Sequence, residues 1–489
     1  MKKIFTFLLA LMFVSAISKA QSGITWAAPM TVASNNYQNL HPRITLDAMG
    51  NPLILWGYTI NTTEGKAYFS RWNGSMFTTP VTVSPNMITI AAASWMGPDI
   101  ASKGDTVYVV MKRTDEGVDT NRLFITHSFD GGMTFSIPVQ IGYISDSVSR
   151  FPTVSIDETG NPIVGFMKFD AGYVTSQWWI SRSTDYGTTF LPCVKASGWS
   201  GGDVCDCCPG ALVKSGNTLA MLYRDKNSNI RDSWAGISND EGTTFPSGIR
   251  VDQNNWNLNM CPSSGPDGVI IGDTLYSSFM NGASGTSLVY YNKSSISNLT
   301  SGPTIPVTGM YTGLFVQNYP RMANNGNAIA LAWKQNVSGS DQLGILFTNN
   351  INNGFPTLFD TVWTNNITNT DVAVGNGEIH VVWQDDNAGV VRYRKGTFIS
   401  STSVDSDIPN GNFSPSIYPN PANTILNIHK SSNTLNETLV ITDVFGREIF
   451  KKSINISDVK IDVSKWDAGV YNLELMGEKT SMSSKFIKY

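Results

Sequence analysis

The stretch FPTVSIDETGNPIVGFMKF (151–169) decides the fold. A proline-bearing opening leads into an apolar strand, Asp157 to Asn161 make a turn around Gly160, and a second apolar strand follows. Glycine and asparagine take the positive φ of such a turn at little cost. The phrase returns as HPRITLDAMGNPLILWG (41–57), GPDIASKGDTVYVVMKR (97–113), CPGALVKSGNTLAMLYRD (208–225), GPDGVIIGDTLYSSFMN (265–281), YPRMANNGNAIALAWKQ (319–335) and TDVAVGNGEIHVVWQDD (370–386). Successive starts are separated by 51 residues (319 to 370) to 57 residues (151 to 208), the mark of a tandem array. Two more strands follow in most units: an aromatic or apolar one such as Leu123 to Thr126 or Trp178 to Ser181, then Pro80-Val81-Thr82-Val83 or Pro138-Val139-Gln140-Ile141. Four strands in about 55 residues is the size of one propeller blade.

The expectation is therefore an all-β chain with a seven-bladed β-propeller over residues 21–402. A six-bladed ring with one divergent insertion is the alternative, because the fifth copy is poorly marked after Asn281. The seventh copy runs out after Tyr393 and Arg394. Residues Trp26 to Val32 match Phe77 to Val83 position by position, so the N-terminal segment is expected to supply the missing outer strand and hide an open edge.

Bulk composition agrees with many short strands: of 489 residues, 43 are glycine, 11% aromatic and only 15% charged. The formal charge of −4 is spread without any basic block, so nucleic acid is not an expected partner. Residues 1–20 read as a secretory signal peptide, with Lys2 and Lys3 before an apolar stretch and Ser18-Lys19-Ala20 at the cleavage site. No later segment approaches about 18 uninterrupted apolar residues, so no transmembrane span is expected. A monomer is the expected state.

Three units carry S-x-D-x-G-x-T-F between their third and fourth strands: Ser128 to Phe135 with Asp130, Ser183 to Phe190 with Asp185, and Ser238 to Phe245 with Asp240. The aspartate can bind backbone N–H groups of its own turn and the glycine supplies positive φ. These phrases resemble the Asp-box of sialidase-like (BNR repeat) propellers, which implies a structural role for the three aspartates. True sialidases use an arginine triad, a Tyr nucleophile paired with Glu, and an Asp acid/base. The nearest counterparts of their first arginine are Arg43 in His41-Pro42-Arg43-Ile44 and Arg321 in Tyr319-Pro320-Arg321-Met322; here the proline precedes the arginine, and no Tyr/Glu pair can be assigned.

The most unusual text is Asp203-Val204-Cys205-Asp206-Cys207-Cys208-Pro209, followed by Arg224-Asp225, Arg231-Asp232, Trp256 and Cys261. It resembles a subgroup of BNR-repeat proteins that share a CxCC phrase before an Arg-Asp pair. In register, Arg224 and Asp225 are expected to end a second strand and Arg231 and Asp232 to begin a third, which places both pairs at one end of a blade. They could clamp an acidic ligand, with Arg43, Arg224, Arg231, Arg321 and Trp256 binding it and Asp225 and Asp232 as acid and base. Equally, they could form Arg-Asp bridges that fix a blade edge. All five cysteines (Cys193, Cys205, Cys207, Cys208, Cys261) fall within one stretch, and an exported chain favours disulfides. Two bridges and one leftover thiol are the default. No cofactor is demanded, and a soft metal at Cys205, Cys207 and Cys208 is the lesser reading because the histidines are scattered.

Residues 403–415 read as a linker. Beyond it, Ile417-Tyr418-Pro419-Asn420-Pro421-Ala422, then Asp443 to Arg447, Gly469-Val470-Tyr471 and the basic end Lys485 to Tyr489 alternate apolar and polar residues as a small β-sandwich over 416–489. These phrases resemble the C-terminal sorting domain of the type IX secretion system of Bacteroidota. The resemblance implies passage through the periplasm to the outer-membrane surface or beyond, with the secretion machinery as a partner. The functional expectation is a cell-surface propeller that binds or hydrolyses glycans, acidic ones above all, as a sialidase-like glycosidase. A non-catalytic adhesin or protein-interaction propeller is the alternative.

Overall fold

The computed structural model describes residues 23–32, 38–61, 64–84, 88–114, 117, 122–141, 147–170, 172, 174–308, 315–399, 416–419, 422–429, 437–443, 447–455, 458–476 and 481–489. The signal peptide and the linker fall outside them. The chain divides into two compact units, 1–401 and 402–489. Among the described residues the only helical turns are Asn227–Asn229 and Ile351–Asn353, and no helix is long and apolar enough to cross a membrane.

The larger unit is a β-propeller whose described residues form seven antiparallel sheets of four or five strands. The third is typical: Ser147–Ile156, Pro162–Asp170, Gln177–Arg182 and Val194–Lys195 follow one another outward. The poorly marked fifth copy does complete its sheet, adding Leu288–Ser295 and the short outer strands Thr300–Ser301 and Ile305–Pro306. The innermost strands of consecutive sheets pack on one another in sequence order, and that of the seventh packs on that of the first.

Second strands such as Thr106–Lys112 and Thr218–Arg224 are buried along nearly their whole length, because each sheet is covered on both faces by its neighbours. That is why their sequence is continuously apolar instead of alternating. A separate apolar cluster fills each of the seven gaps between sheets. The gap between the last sheet and the first holds Val32, Ile44, Trp56, Val382 and Tyr393. Closure follows the expected route: Thr25 and Trp26 pair with Thr397 and Gly396, and Met30 and Thr31 with Tyr393 and Arg392.

The smaller unit packs a three-stranded sheet containing Ile425–His429 against a four-stranded sheet containing Glu437–Asp443 and Gly469–Met476. Leu426, Ile428, Leu439, Ile441, Leu473 and Phe486 share its core, as expected of a β-sandwich.

The three S-x-D-x-G-x-T-F turns lie on connections between third and fourth strands, at the opposite end of the sheets from the opening residues. Their bonding repeats. Asp130 accepts from the Ser128 hydroxyl at 2.6 Å, the Thr134 amide at 2.9 Å and the Thr134 hydroxyl at 2.6 Å, and the Gly132 amide donates to Ser128 Oγ at 2.8 Å. Asp185 and Asp240 do the same with Ser183 and Thr189 and with Ser238 and Thr244.

Gly132 and Gly187 both have positive φ, at 81° and 85°. A Cβ on Gly132 would overlap the buried Phe69 ring of the preceding sheet, whereas one on Gly187 would meet Pro162 and Tyr108 at 3.4 and 3.5 Å. Gly187→Ala should therefore cost about 1 kcal/mol for the backbone conformation alone. Gly132→Ala should lose a further ~1–3 kcal/mol to overpacking, and urea unfolding of the pair measures the difference.

Candidate functional site at the propeller axis

The third residue of each of the first six opening phrases, and the second of the seventh, lies where the innermost strands surround the axis. In order these are Arg43, Asp99, Thr153, Gly210, Asp267, Arg321 and Asp371. Proline precedes six of the seven, which is tolerated because an innermost strand has no partner on its axial side.

The acidic members stitch one sheet to the next. Asp371 Oδ2 accepts the Ile44 amide at 3.0 Å, Asp99 Oδ2 the Val154 amide at 3.2 Å, and Asp267 Oδ2 the Met322 amide at 2.9 Å. The arginines stand between them: Arg321 lies 3.7 Å from Asp267 and 3.6 Å from Asp371, and Arg43 3.9 Å from Asp99. Charge thus alternates through five consecutive sheets as Asp267, Arg321, Asp371, Arg43 and Asp99, while Thr153 and Gly210 leave an uncharged arc.

Burial dominates the titration of this ring. It raises the Asp267 carboxyl to about 6 despite Arg321 beside it, and raises Asp371 as well. Burial, aided by the charge of Arg321, lowers Arg43 to about 9. For Arg321 burial works in the same direction, but Asp371, Asp267 and Asp99 outweigh it and its pKa is raised.

Above the ring, on the side where the innermost strands begin, is a pocket lined by His41, Arg43, Trp95, Phe151, Tyr319 and Arg321 among others. Below the ring the channel opens into a second chamber that shares Arg43, Asp99 and Arg321. His41, Phe151 and Tyr319 have φ of 56°, 52° and 52°, and each lies at a register shift between its sheet's first two strands. Non-glycine residues held in that region store strain, and such outliers concentrate at binding and active sites. Trp95 meets Phe151 edge to face at 5.5 Å.

His41 Nε2 lies 2.5 Å from Arg43 Nη2, and burial followed by the charge of Arg43 lowers its pKa well below the usual value. The neutral ring accepts from Arg43 at Nε2, and its Nδ1 faces Asn369 Nδ2 at 3.2 Å and the Ser94 carbonyl at 3.5 Å. Arg43 also donates to Asn369 Oδ1 at 3.1 Å, and Asn369 in turn donates to the Ser94 carbonyl.

The candidates read from the sequence separate into two groups. Arg43 and Arg321 come together at the axis. Arg224, Arg231, Asp225, Asp232 and Trp256 gather in and beside the fourth sheet, and they do not form the Arg-Asp bridges expected of neighbours in sequence. Arg224, only 1% exposed, donates to the carbonyls of Ser264 (2.9 Å), Arg231 (2.5 Å) and Met280 (2.7 Å), and its guanidinium lies 5.3 Å from the Trp256 ring. Arg231 donates to the Leu258 carbonyl at 3.0 Å and to Cys205 Sγ at 3.2 Å.

Asp232 accepts from the Arg250 guanidinium and from the amides of Asn255 (3.0 Å) and Trp256 (2.9 Å). Asp225 accepts from Ser200 Oγ at 2.9 Å. The planar donors have found loop carbonyls and the carboxylates loop amides, so the constellation ties down the connection between the fourth and fifth sheets. Neither aspartate lines the axial pocket.

One disulfide, Cys207–Cys261, stands where two were expected. Cys193 is unbridged and packs beside Val139 and Trp179 at the edge of the third sheet, away from the cluster. Cys205 and Cys208 are buried thiols. The sulfurs of Cys205, Cys207 and Cys208 lie within 4.8 Å of one another, but the bridge withdraws Cys207 from the thiolate set that a soft metal would need.

Sequence reading missed Asp99, Asp267, Asp371, Asn369 and Trp95. The first three stand at the same position of the repeat as Arg43 and Arg321, so comparing that column across the seven copies would have revealed them.

Fold and site together define an exported propeller with a charged axial ring and a separate sorting unit. Residues 416–489 match the family described as secretion system C-terminal sorting domain. The chain therefore carries the type IX address and is delivered to the cell surface or outer membrane. Comparison with curated proteins found no match. Among solved structures, the GH93 α-L-arabinofuranosidase of Fusarium graminearum with arabinobiose aligns at 12% identity and a TM-score of 0.46, covering 78% of this chain and 99% of that one. Trypanosoma rangeli sialidase aligns at 8% identity and 0.44, over 95% and 89%. PorZ, a surface component of the type IX secretion system of Porphyromonas gingivalis, aligns at 12% identity and 0.39, over 95% and 60%.

Removing one member of the ring should be costly. Asp371→Ala leaves Arg321 and Arg43 facing each other and the Ile44 amide without its acceptor, and should lower the unfolding free energy by about 3–5 kcal/mol in urea titrations. Asp225 gives a pH test. Burial raises its carboxyl to about 6, so the fold favours the protonated form, and wild type loses stability as pH rises from about 4 to 6. Asp225→Asn escapes that loss, and its melting temperature relative to wild type should climb across the same window and level off above it.

Proposed function

We propose that the propeller binds a glycan at the mouth of its axial channel, with an acidic or hydroxyl-rich sugar reaching Arg321. The observation that carries this reading is the presence of Arg43 and Arg321 in one pocket whose wall includes Trp95, Phe151 and Tyr319. Aromatic faces suit the C–H faces of sugar rings, while guanidinium, imidazole and amide groups suit hydroxyl and carboxylate oxygens. Arg321 is the more exposed of the two arginines, its side chain 17% exposed against 6% for Arg43.

Three aspartates accompany the two arginines in the ring, so long-range attraction for an anion is weak. Affinity then rests on short directional hydrogen bonds and ring stacking, which favours recognition of a sugar over capture of a bare anion. Hydrolysis is the second reading, favoured by Asp99, a carboxylate that lines the same pocket as Arg43 and Arg321. Asp225 and Asp232 are not offered for that role, since both are engaged beneath the surface.

The test is a panel of sialosides, sulfated oligosaccharides and uronic oligosaccharides, measured by calorimetric titration and by reducing-end release. Wild type should bind at least one class. Trp95→Ala should weaken that binding at least tenfold while the melting temperature stays within a few degrees. Absence of binding across the panel would remove the glycan reading, and new reducing ends would decide for hydrolysis.

A further inference from the structure

The cysteine cluster lies outside the proposed glycan site and holds chemistry that binding does not use. Cys205 and Cys208 are buried with their sulfurs 3.0 Å apart, on a turn in which the Cys208 amide donates to the Cys205 carbonyl. Cys205 Sγ is also 3.4 Å from Cys207 Sγ, the nearer half of the Cys207–Cys261 bridge, and Cys261 at the far end is exposed. A thiol thus stands in contact with a disulfide, with a second thiol behind it.

We propose that these four cysteines form a thiol–disulfide exchange site in which the buried pair takes over the bridge. The Cys205 thiol gives its proton to water, and its thiolate attacks Cys207 Sγ. The Cys207–Cys261 bond breaks as the Cys205–Cys207 bond forms, and Cys261 leaves as a thiolate that takes up a proton. Cys208 then attacks Cys205 Sγ, forms Cys205–Cys208 and passes its proton to the departing Cys207. One disulfide and two thiols exist before and after, so no external oxidant or reductant is consumed.

The surroundings favour this order of events. The Cys208 thiol, offset in part by burial and then reinforced by the charges of Arg231 and Arg224, lowers the Cys205 pKa to about 7, whereas burial pushes Cys208 up. The attacking thiol is therefore Cys205 and the resolving thiol Cys208. The connection bearing Cys261 is also held without the bridge. Arg224 binds the Ser264 carbonyl, Arg231 the Leu258 carbonyl, and Asp232 the Trp256 amide. Opening Cys207–Cys261 leaves those bonds in place, so the exchange proceeds within the folded propeller.

The test uses the full chain, taken to one bridge per molecule with limiting phosphine reductant, held at pH 8, quenched with acid, alkylated and mapped by peptide fragmentation. In wild type, at least a tenth of the molecules should carry Cys205–Cys208 with Cys207 and Cys261 alkylated. Cys208→Ser should accumulate Cys205–Cys207 with Cys261 alkylated, and Cys205→Ser should retain Cys207–Cys261 alone. Finding only Cys207–Cys261 in both wild type and Cys208→Ser would overturn the proposal. So would two bridges that persist together until complete reduction, since that is the behaviour of static staples.

Discussion

A ring of seven sheets has an axis where no strand can pair and no apolar cluster fits without sealing the channel. This chain meets that constraint with the alternating Asp267, Arg321, Asp371, Arg43 and Asp99 side chains. The three carboxylates each hold a backbone amide of the next sheet, so a charge on one opening strand fixes the position of the following one. The arginines in turn place positive charge between the carboxylates. The axial ring adds directional bonds of 2.9–3.2 Å from one sheet to the next, which the apolar clusters between sheets lack. The pocket, its strained wall residues and the chamber beneath it all take their positions from this ring.

The repeat was legible because it is written in two independent codes. Proline or a polar residue marks where each innermost strand begins, and glycine marks each first hairpin. The seam was legible too, since Trp26 to Val32 follows the pattern of Phe77 to Val83, the segment that holds the outer strand Val81–Thr82. What the sequence concealed was direction. Arg224-Asp225 and Arg231-Asp232 read as ion pairs because charges adjacent in sequence invite pairing. In the fold the Arg224 and Arg231 guanidinium groups reach carbonyls of a crossing connection, Asp225 takes a hydroxyl, and Asp232 takes loop amides and the more distant Arg250. Crossing connections bring together residues separated by tens of positions, and no local pattern announces them. The cysteines were ambiguous for the same reason: Cys207 finds Cys261, 54 residues on, while the nearer Cys193 stays at another edge.

The mouth combines two uses of stored energy. Holding His41, Phe151 and Tyr319 at positive φ costs on the order of 1–3 kcal/mol each, and burying Asp267 unprotonated costs more as pH rises through 6. Both are sustained by the surrounding apolar gaps, whose fully buried Trp56, Trp333 and Trp383 supply large contact areas next to the strained strands. A rigid scaffold under a strained, polar rim leaves the rim's side chains few alternatives, and that preorganisation suits ligand recognition.

The seam between the two ends of the propeller has a kinetic side. Thr25 and Thr397 are 372 residues apart, so in a chain that emerges from its N-terminus the outer strand of the last sheet is made first and its partner strand last. Contacts of such separation form slowly, and until they form the strand Val390–Thr397 presents an unpaired margin. That strand carries Arg392, Arg394 and Lys395, charges that discourage another copy from docking edge to edge during the wait. The earliest-made segment is thus the last fastener of the ring.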